Sequence, residues 1–206
     1  MNSSRQYSLW HSSYEKNHYG DFFYTLVRIY QPEIVVELGT KAGFSAYHIA
    51  RGLKANKKGR LDCYDLWEKY QFKSVSQSIT KKNLKKFKDI IRCNVRDAVG
   101  VNKLYKRVDI LHVDLNNEGS ILEEIVPFWI DKTRQLIIIE GGSMERDQVS
   151  WMIKYKKMPI AKWLEDFSQR RGDIEYFMIK PFPSLTIICK RKNKNLKTVH
   201  NGNGLN

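Results

Sequence analysis

The sequence predicts an α/β fold: a three-layer sandwich built on a seven-stranded, mostly parallel sheet. Three observations predict it. The first is the stretch Ile34 to Ser45, IVVELGTKAGFS, an apolar run ending in a glycine-punctuated turn. It leads into an amphipathic segment with Ala46, Ile49, Ala50 and Leu53 at helical spacing. Strand, tight turn and helix open a βαβ unit. The second is a series of later apolar runs, Leu61 to Leu66, Asp89 to Cys93, Val108 to Asp114 and Gln135 to Glu140, each the length of a buried parallel strand. The third is the pair Ile174 to Ile179 and Leu185 to Cys189 around KPFPS, which reads as a closing antiparallel hairpin.

The turn after the first strand narrows the ligand class. A dinucleotide fingerprint needs G-x-G-x-x-G so that the backbone can close on a pyrophosphate. Here Gly39 and Gly43 are spaced G-x-x-x-G, and Lys41 stands where a second glycine would be. The G-K-[ST] ending of a phosphate-binding loop is absent too. Glu37, just before Gly39, repels phosphate and attracts an ammonium. The loop therefore favours a ligand with a positive end, presented to the N-terminus of the following helix.

The remaining elements follow in order. Glu15 to Tyr30 carries Tyr19, Phe22, Phe23, Leu26, Val27 and Tyr30 on one helical face, and Gln31-Pro32 ends it. Residues 1–32 read as an N-terminal cap helix region of a single domain spanning 1–192. Tyr7, Trp10, His11 and Tyr14 form either a lid over a substrate pocket or plain packing. The second strand ends in Asp65, 26 residues beyond Gly39, followed by Trp67. In a doubly wound sheet that tip lies beside a bound ribose, whose diol suits a carboxylate. The other reading is a turn or cap aspartate. Trp67 either stacks near a base or packs inside. Gln71 to Phe87 reads as a lysine-rich surface helix with a thin seam of Ile79, Leu84 and Phe87. After strand three comes NVRD, Asn94 to Asp97, where Asp97 suits the N-cap of a short helix before Leu104.

In strand four, period two puts Ile110, His112 and Asp114 on one face. Asp114 lies at the carboxyl end, where open α/β sheets bind ligands. A carboxylate there acts as general base on a hydroxyl, or holds a divalent ion that lowers the hydroxyl's pKa. His112 sits deeper and reads first as a core histidine, second as a proton acceptor. Ser120 to Trp129 is a helix. Strand five is central and ends in Glu140-Gly141-Gly142-Ser143, with Glu140 either in the site or stabilising the next helix. Arg146 to Met158 reads as a helix stopped by Pro159, with Trp151, Tyr155 and Trp163 as candidates for an acceptor pocket.

Composition bounds the class. The 206 residues suit one domain with a full core. No run approaches the roughly 18 apolar residues of a membrane span, and MNSSRQYSLWHSS has no signal-peptide core. Cys63, Cys93 and Cys189 are an odd, unclustered set, read as buried free thiols in a reducing cytoplasm. The net charge of +14 gathers in KKNLKKFK (Lys81 to Lys88) and KRKNKNLK (Lys190 to Lys197). We read these as a solvated helix face and, over 193–206, a basic flexible tail. A nucleic-acid groove is the lesser reading, since aromatics are not interleaved with the lysines.

The run Glu37-Leu38-Gly39-Thr40-Lys41-Ala42-Gly43-Phe44-Ser45 resembles motif I of class I S-adenosylmethionine-dependent methyltransferases. Asp109-Ile110-Leu111-His112-Val113-Asp114 resembles the D-x-x-H-x-D pattern of the small (macrocin/sugar) O-methyltransferase-like group. The resemblance runs from about Gly20 to about Lys190 and implies a Rossmann-like sheet ending in an antiparallel hairpin. It implies a cofactor set in which Glu37, Gly39 and Gly43 hold the methionyl end, Asp65 the ribose, and Asp97, with Asn94 second, the adenine; Thr40, Ser45, Leu66 and Asp114 complete the set. Asp114, Glu140 and, third, His112 are the catalytic candidates. Metal-dependent catechol-type relatives carry Asp-Asn where this chain has Glu140-Gly141. Two hard oxygens, Asp114 and Glu140, remain to hold Mg²⁺ with waters; metal-free base catalysis is the equal alternative. Leu115 to Gly119 lacks the [DN]-P-P-[YFW] of many amino-methylating nucleic-acid enzymes.

The resulting expectation is O-methylation of a small-molecule or sugar hydroxyl, without a membrane; a homodimer is compatible with the sequence. The alternatives are an RNA methyltransferase, a non-catalytic S-adenosylmethionine-binding protein, and an NAD-dependent oxidoreductase, which Lys41 disfavours.

Overall fold

The computed structural model describes residues 10, 12–72 and 75–191. The expected apolar runs become strands β1 (Ile34–Leu38), β2 (Arg60–Asp65), β3 (Ile91–Val95), β4 (Val108–Val113) and β5 (Thr133–Glu140), followed by β6 (Ile174–Ile179) and β7 (Leu185–Lys190). They form one sheet in the order β3-β2-β1-β4-β5-β7-β6. The first five strands pair in parallel, and β7 runs antiparallel to both β5 and β6. Parallel pairing requires a crossover after each strand, and these crossovers cover both faces.

Alternation along the strands separates two cores. Val35, Leu61, Ile110 and Ile138 face helices α1 (Tyr19–Tyr30) and α2 (Phe44–Asn56), packing on Phe23, Leu26, Ile49 and Leu53. Val36, Leu111, Ile137 and Ile139 face the other way, against Leu122 and Val126 of α4 (Gly119–Trp129) and Leu164 and Phe167 of α7 (Ile160–Arg171). Burying such side chains is worth roughly 1.5–3 kcal/mol each. The sheet is therefore fixed on both sides, and its loops are free to carry chemistry.

Several elements differ from the sequence reading. The expected helix from Glu15 is two pieces. Ser12 and Glu15 form a capping box that opens a separate 3₁₀ turn at Ser13–Asn17, and His18, with φ of 55°, breaks it from α1. The lysine-rich helix is short, α3 at Gln77–Asn83, started by the Ser76 side chain. The helix expected from Arg146 to Met158 divides into α5 (Met144–Asp147) and α6 (Ser150–Lys154). Asp147 ends the first and accepts the N–H groups of Ile160 (2.8 Å) and Ala161 (2.9 Å), so it starts α7. That helix was not expected; Trp163, assigned to an acceptor pocket, stacks on Phe167 at 5.0 Å within its buried face. Tyr155 is exposed, and Trp151 packs beside Arg146. Tyr7, His11 and the tail 193–206 lie outside the described residues.

Candidate active site

Neighbours β2 and β4 flank β1, so the strand order reverses beside β1, and ligand crevices form at such switch points. A cleft of about 580 Å³ opens there, over the carboxyl ends of β1, β2 and β4. Its floor is the turn from Gly39 to Ser45. The Asp114 N–H donates to the Leu38 carbonyl at 2.8 Å, so strand tip and turn lie close together. A Cβ at Gly39 would lie 2.0 Å from the Asp114 carbonyl oxygen, and Gly39 has φ of +86°. Only glycine meets both conditions.

Asp65 organises the turn. Its Oδ2 accepts the N–H groups of Thr40 (2.8 Å) and Lys41 (2.7 Å), and its Oδ1 accepts that of Trp67 (2.9 Å). Trp67 is fully buried and donates its indole N–H to the Lys41 carbonyl at 3.0 Å. It pins the turn from beneath and does not reach the cleft. Asp65 still borders the cleft, beside Leu66.

The cleft wall contains Gly39, Thr40, Gly43, Ser45, Asp65, Leu66, Asp97 and Asp114 from the expected cofactor set. Asp97 accepts the Val99 N–H at 2.9 Å and is exposed at the rim. Two expected members are not in that wall. Asn94 turns back to donate to the Cys63 carbonyl at 3.2 Å. Glu37 is fully buried beneath the turn. Its Oε1 accepts from Ser45 Oγ at 2.6 Å and lies 3.0 Å from His112 Nδ1, while Oε2 takes the Cys63 thiol at 3.7 Å. Glu37 reaches the cleft only through Ser45. His112 is likewise fully buried, against Phe23 at 4.9 Å. Both depart from a direct contact role for the same reason: they face the α1/α2 core from mid-strand.

Asp114 stands at the inner end of the cleft, half-buried, with Leu115 and Asn116 beside it. Burial raises its pKa, with Glu37 adding to the shift and His112 opposing it. The Tyr14 hydroxyl faces Asp114, is buried, and has no partner in hydrogen-bond geometry among the described residues. Burial first, then Asp114 and Glu140, raises the Tyr14 pKa well above its ordinary value.

Glu140 lies behind Asp114 and outside the cleft wall. Its Oε1 accepts from Arg146 Nε at 2.7 Å, and Arg146 Nη2 donates to the Asn117 carbonyl at 3.2 Å. Asn117 in turn donates to the Glu140 and Val113 carbonyls at 2.8 and 3.0 Å. Burial pushes Glu140 up to about 7, and Asp114 adds to this, although Arg146 pulls the other way. Gly141 makes room for that guanidinium: a Cβ there would meet Ile160 at 2.5 Å and Arg146 Cγ at 3.2 Å. Sequence reasoning missed Arg146, which sits in the short helix α5 with no motif around it, and Asn117, which looked like an ordinary loop residue. No cluster of three His, Cys, Asp or Glu groups suited to a metal occurs among the described residues.

The charged residues of the wall are Asp65, Asp97, Asp114 and Glu124 against Lys41 and Arg96. The cleft is thus acidic in a chain of net charge +14. Apolar wall comes from Leu66, Ala98, Val99 and Ile121. Such a crevice suits a cationic nucleoside and repels a pyrophosphate.

Comparison with known proteins agrees with this fold. A family profile described as a methyltransferase domain matches residues 36–140. No curated protein matches. Among solved structures, the O-methyltransferase TomG of Streptomyces achromogenes, in complex with S-adenosylmethionine, is similar at a TM-score of 0.67 and 15% identity, over 89% of this chain and 82% of that one. An O-methyltransferase of Bacillus cereus bound to S-adenosylhomocysteine gives 0.64 and 16%, over 84% and 81%. A Podospora anserina methyltransferase bound to S-adenosylhomocysteine gives 0.61 and 17%, over 84% and 78%.

Proposed function

The chain belongs to the methyltransferase domain family, and on that premise we propose that it moves a methyl group from S-adenosylmethionine to a hydroxyl oxygen of a small molecule, with sugars as the first class to test. The observation that carries this reading is the acidic cleft at the switch point of a basic protein. When bound, the cofactor supplies a methyl made electrophilic by its sulfonium.

The residues then have separable tasks. The Gly39 to Ser45 turn supports the methionyl end, with Glu37 acting through Ser45. Asp65 has one acceptor site left on Oδ1 for a ribose hydroxyl. Asp97, Ala98 and Val99 border the place for a base. Asp114 takes the acceptor proton as the hydroxyl oxygen attacks, and burial raises its basicity for that step. Alignment of oxygen, methyl and sulfur supplies most of the acceleration, up to roughly 7–11 kcal/mol in well-oriented systems. Glu140 is held by a guanidinium, whose charge opposes a divalent cation at the same oxygen. The donor set therefore does not fit Mg²⁺, and we route no step through a metal.

Calorimetry against S-adenosylhomocysteine and NAD tests the cofactor. Release of S-adenosylhomocysteine with a panel of sugar and phenolic hydroxyl acceptors tests the reaction. Binding of NAD in place of S-adenosylhomocysteine overturns the reading. An RNA acceptor is the second reading, favoured by the exposed lysines 81, 82, 85, 86 and 88, none of them paired with a carboxylate among the described residues. It predicts RNA binding that weakens steeply with salt.

A further inference from the structure

The sheet carries a polar row of which the proposed methyl transfer uses only Glu37, through Ser45. Across adjacent strands, Cys93 of β3 is in register with Cys63 of β2, Cys63 with Glu37 of β1, and Glu37 with His112 of β4. The four side chains share the α1/α2 face. The cysteines looked unclustered in sequence, 30 residues apart; the crossover of α3 brings them side by side. The two thiols lie close enough for each to shift the pKa of the other. Cys63 is fully buried, and Cys93 is half-exposed near the edge of the sheet.

From this juxtaposition we propose that Cys63 and Cys93 are a reversible thiol–disulfide pair whose oxidation weakens the cofactor cleft. In-register neighbours on adjacent strands are about 4.8 Å apart, inside the roughly 4.4–6.8 Å that Cα atoms of a disulfide span. The polarity of the pair suits the chemistry. The Cys63 thiol lowers the pKa of Cys93, with Lys81 assisting, while burial and Cys93 raise that of Cys63. Cys93 is thus the attacking sulfur and Cys63 the resolving one.

With hydrogen peroxide as oxidant, the Cys93 thiolate attacks one peroxide oxygen. The O–O bond breaks, water leaves after protonation, and Cys93 becomes a sulfenic acid. The Cys63 sulfur then attacks the Cys93 sulfur. The S–S bond forms, the S–O bond breaks, and the departing hydroxide takes the Cys63 proton to give a second water. Two thiols lose two electrons and two protons, and one peroxide becomes two waters. A dithiol reductant reverses the change by exchange.

The link to the cleft is Glu37. In the reduced chain its Oε2 receives the Cys63 S–H at 3.7 Å, and its Oε1 holds Ser45 at 2.6 Å. Oxidation removes that donor and draws Cys63 toward β3, away from Glu37. Ser45 and the floor of the cleft are then less firmly held.

This coupling rests on the S-adenosylmethionine reading; the disulfide itself does not. The test treats the full chain, reduced and then freed of reductant, with hydrogen peroxide. Tryptic fragments 61–69 and 93–96 are expected to appear joined by a disulfide, leaving Cys189 as the remaining thiol. Affinity for S-adenosylhomocysteine is expected to fall about two- to threefold, a loss passed to the cleft through Glu37 and Ser45, and to return with dithiothreitol. Cys93→Ser is expected to keep the reduced affinity and to lose the peroxide response. Cys93 recovered as a sulfinic or sulfonic acid with Cys63 still free overturns the pair. A joined pair with unchanged affinity overturns the coupling. If the reduced chain itself fails to bind S-adenosylhomocysteine, the cofactor reading falls while the fragment masses still decide the disulfide.

Discussion

Glu37 and His112 meet at 3.0 Å in the middle of the sheet, and neither side chain has any exposed surface. The imidazole donates Nδ1–H to the carboxylate, which leaves Nε2 without a partner among the described residues. A buried carboxylate of this kind serves as an internal brace. Its other oxygen contacts run to Ser45 and Cys63, so one acid holds three strands and the start of α2 together.

Glu37→Gln distinguishes this brace from a ligand contact. The amide oxygen still accepts from Ser45, a bond worth about 0.5–1.5 kcal/mol, so S-adenosylhomocysteine affinity is expected to fall by less than about threefold. A direct contact to the cofactor ammonium would lose about tenfold or more, because charge-assisted bonds are roughly twice as strong. Isothermal calorimetry on the two proteins separates the cases.

Asp65→Ala is expected to weaken S-adenosylhomocysteine binding at least about tenfold, from lost charge-assisted bonds. It also frees three backbone N–H groups. Their loss is expected to cost about 2 kcal/mol, or a melting temperature lower by about 4–8 °C for a chain of this size. Melting that falls while affinity holds would leave Asp65 as an anchor of the turn and remove it from the ribose site.

The fold was legible because its signals are local. A strand of apolar residues, a glycine turn and a helix seam survive any change of partner, so the parallel order could be read from Ile34 to Glu140. A place in the cleft wall was legible only at a strand tip, as at Gly39, Asp65 and Asp114. Glu37 sits one residue from such a tip, and the pleat turned it inward. Glu140 stands at a tip, but its partner Arg146 arrives through a turn whose shape depends on Ser143 and Gly141. The pairing of Cys63 with Cys93 is set by strand register, which no short-range pattern encodes.

At pH 8, where Glu140 is ionised, Arg146→Ala is expected to destabilise the fold by about 3–5 kcal/mol, because it leaves a buried carboxylate without its partner. Glu140 and the Asn117 carbonyl both lose donors. Adding Glu140→Gln is expected to restore part of the loss, since the neutral amide has no charge to neutralise. Urea unfolding of the wild type, both single variants and the double variant gives the coupling. If the losses simply add, the guanidinium and the carboxylate do not act as a unit. Chelation with EDTA is expected to leave the wild-type affinity for S-adenosylhomocysteine unchanged, because Arg146 already supplies the positive charge at Glu140.

The same acid gives the stability a definite pH dependence. Burial raises Glu140 from 4.5 to about 7 in the folded chain. Between those values the folded state binds a proton that the unfolded state has released. Its contribution is therefore fully present below about pH 4.5 and is lost as pH rises through about 7. Each tenfold gain in proton affinity on folding is worth about 1.4 kcal/mol, so the loss approaches about 3 kcal/mol. Glu140→Gln removes this titration while other groups change little, and Arg146 stays charged throughout. Unfolding free energies at pH 5 and pH 8 should then differ by up to about 3 kcal/mol less in favour of the acidic side in the variant than in the wild type. An identical pH difference in the two proteins would show that Glu140 is ionised over the whole range, with Arg146 outweighing its burial.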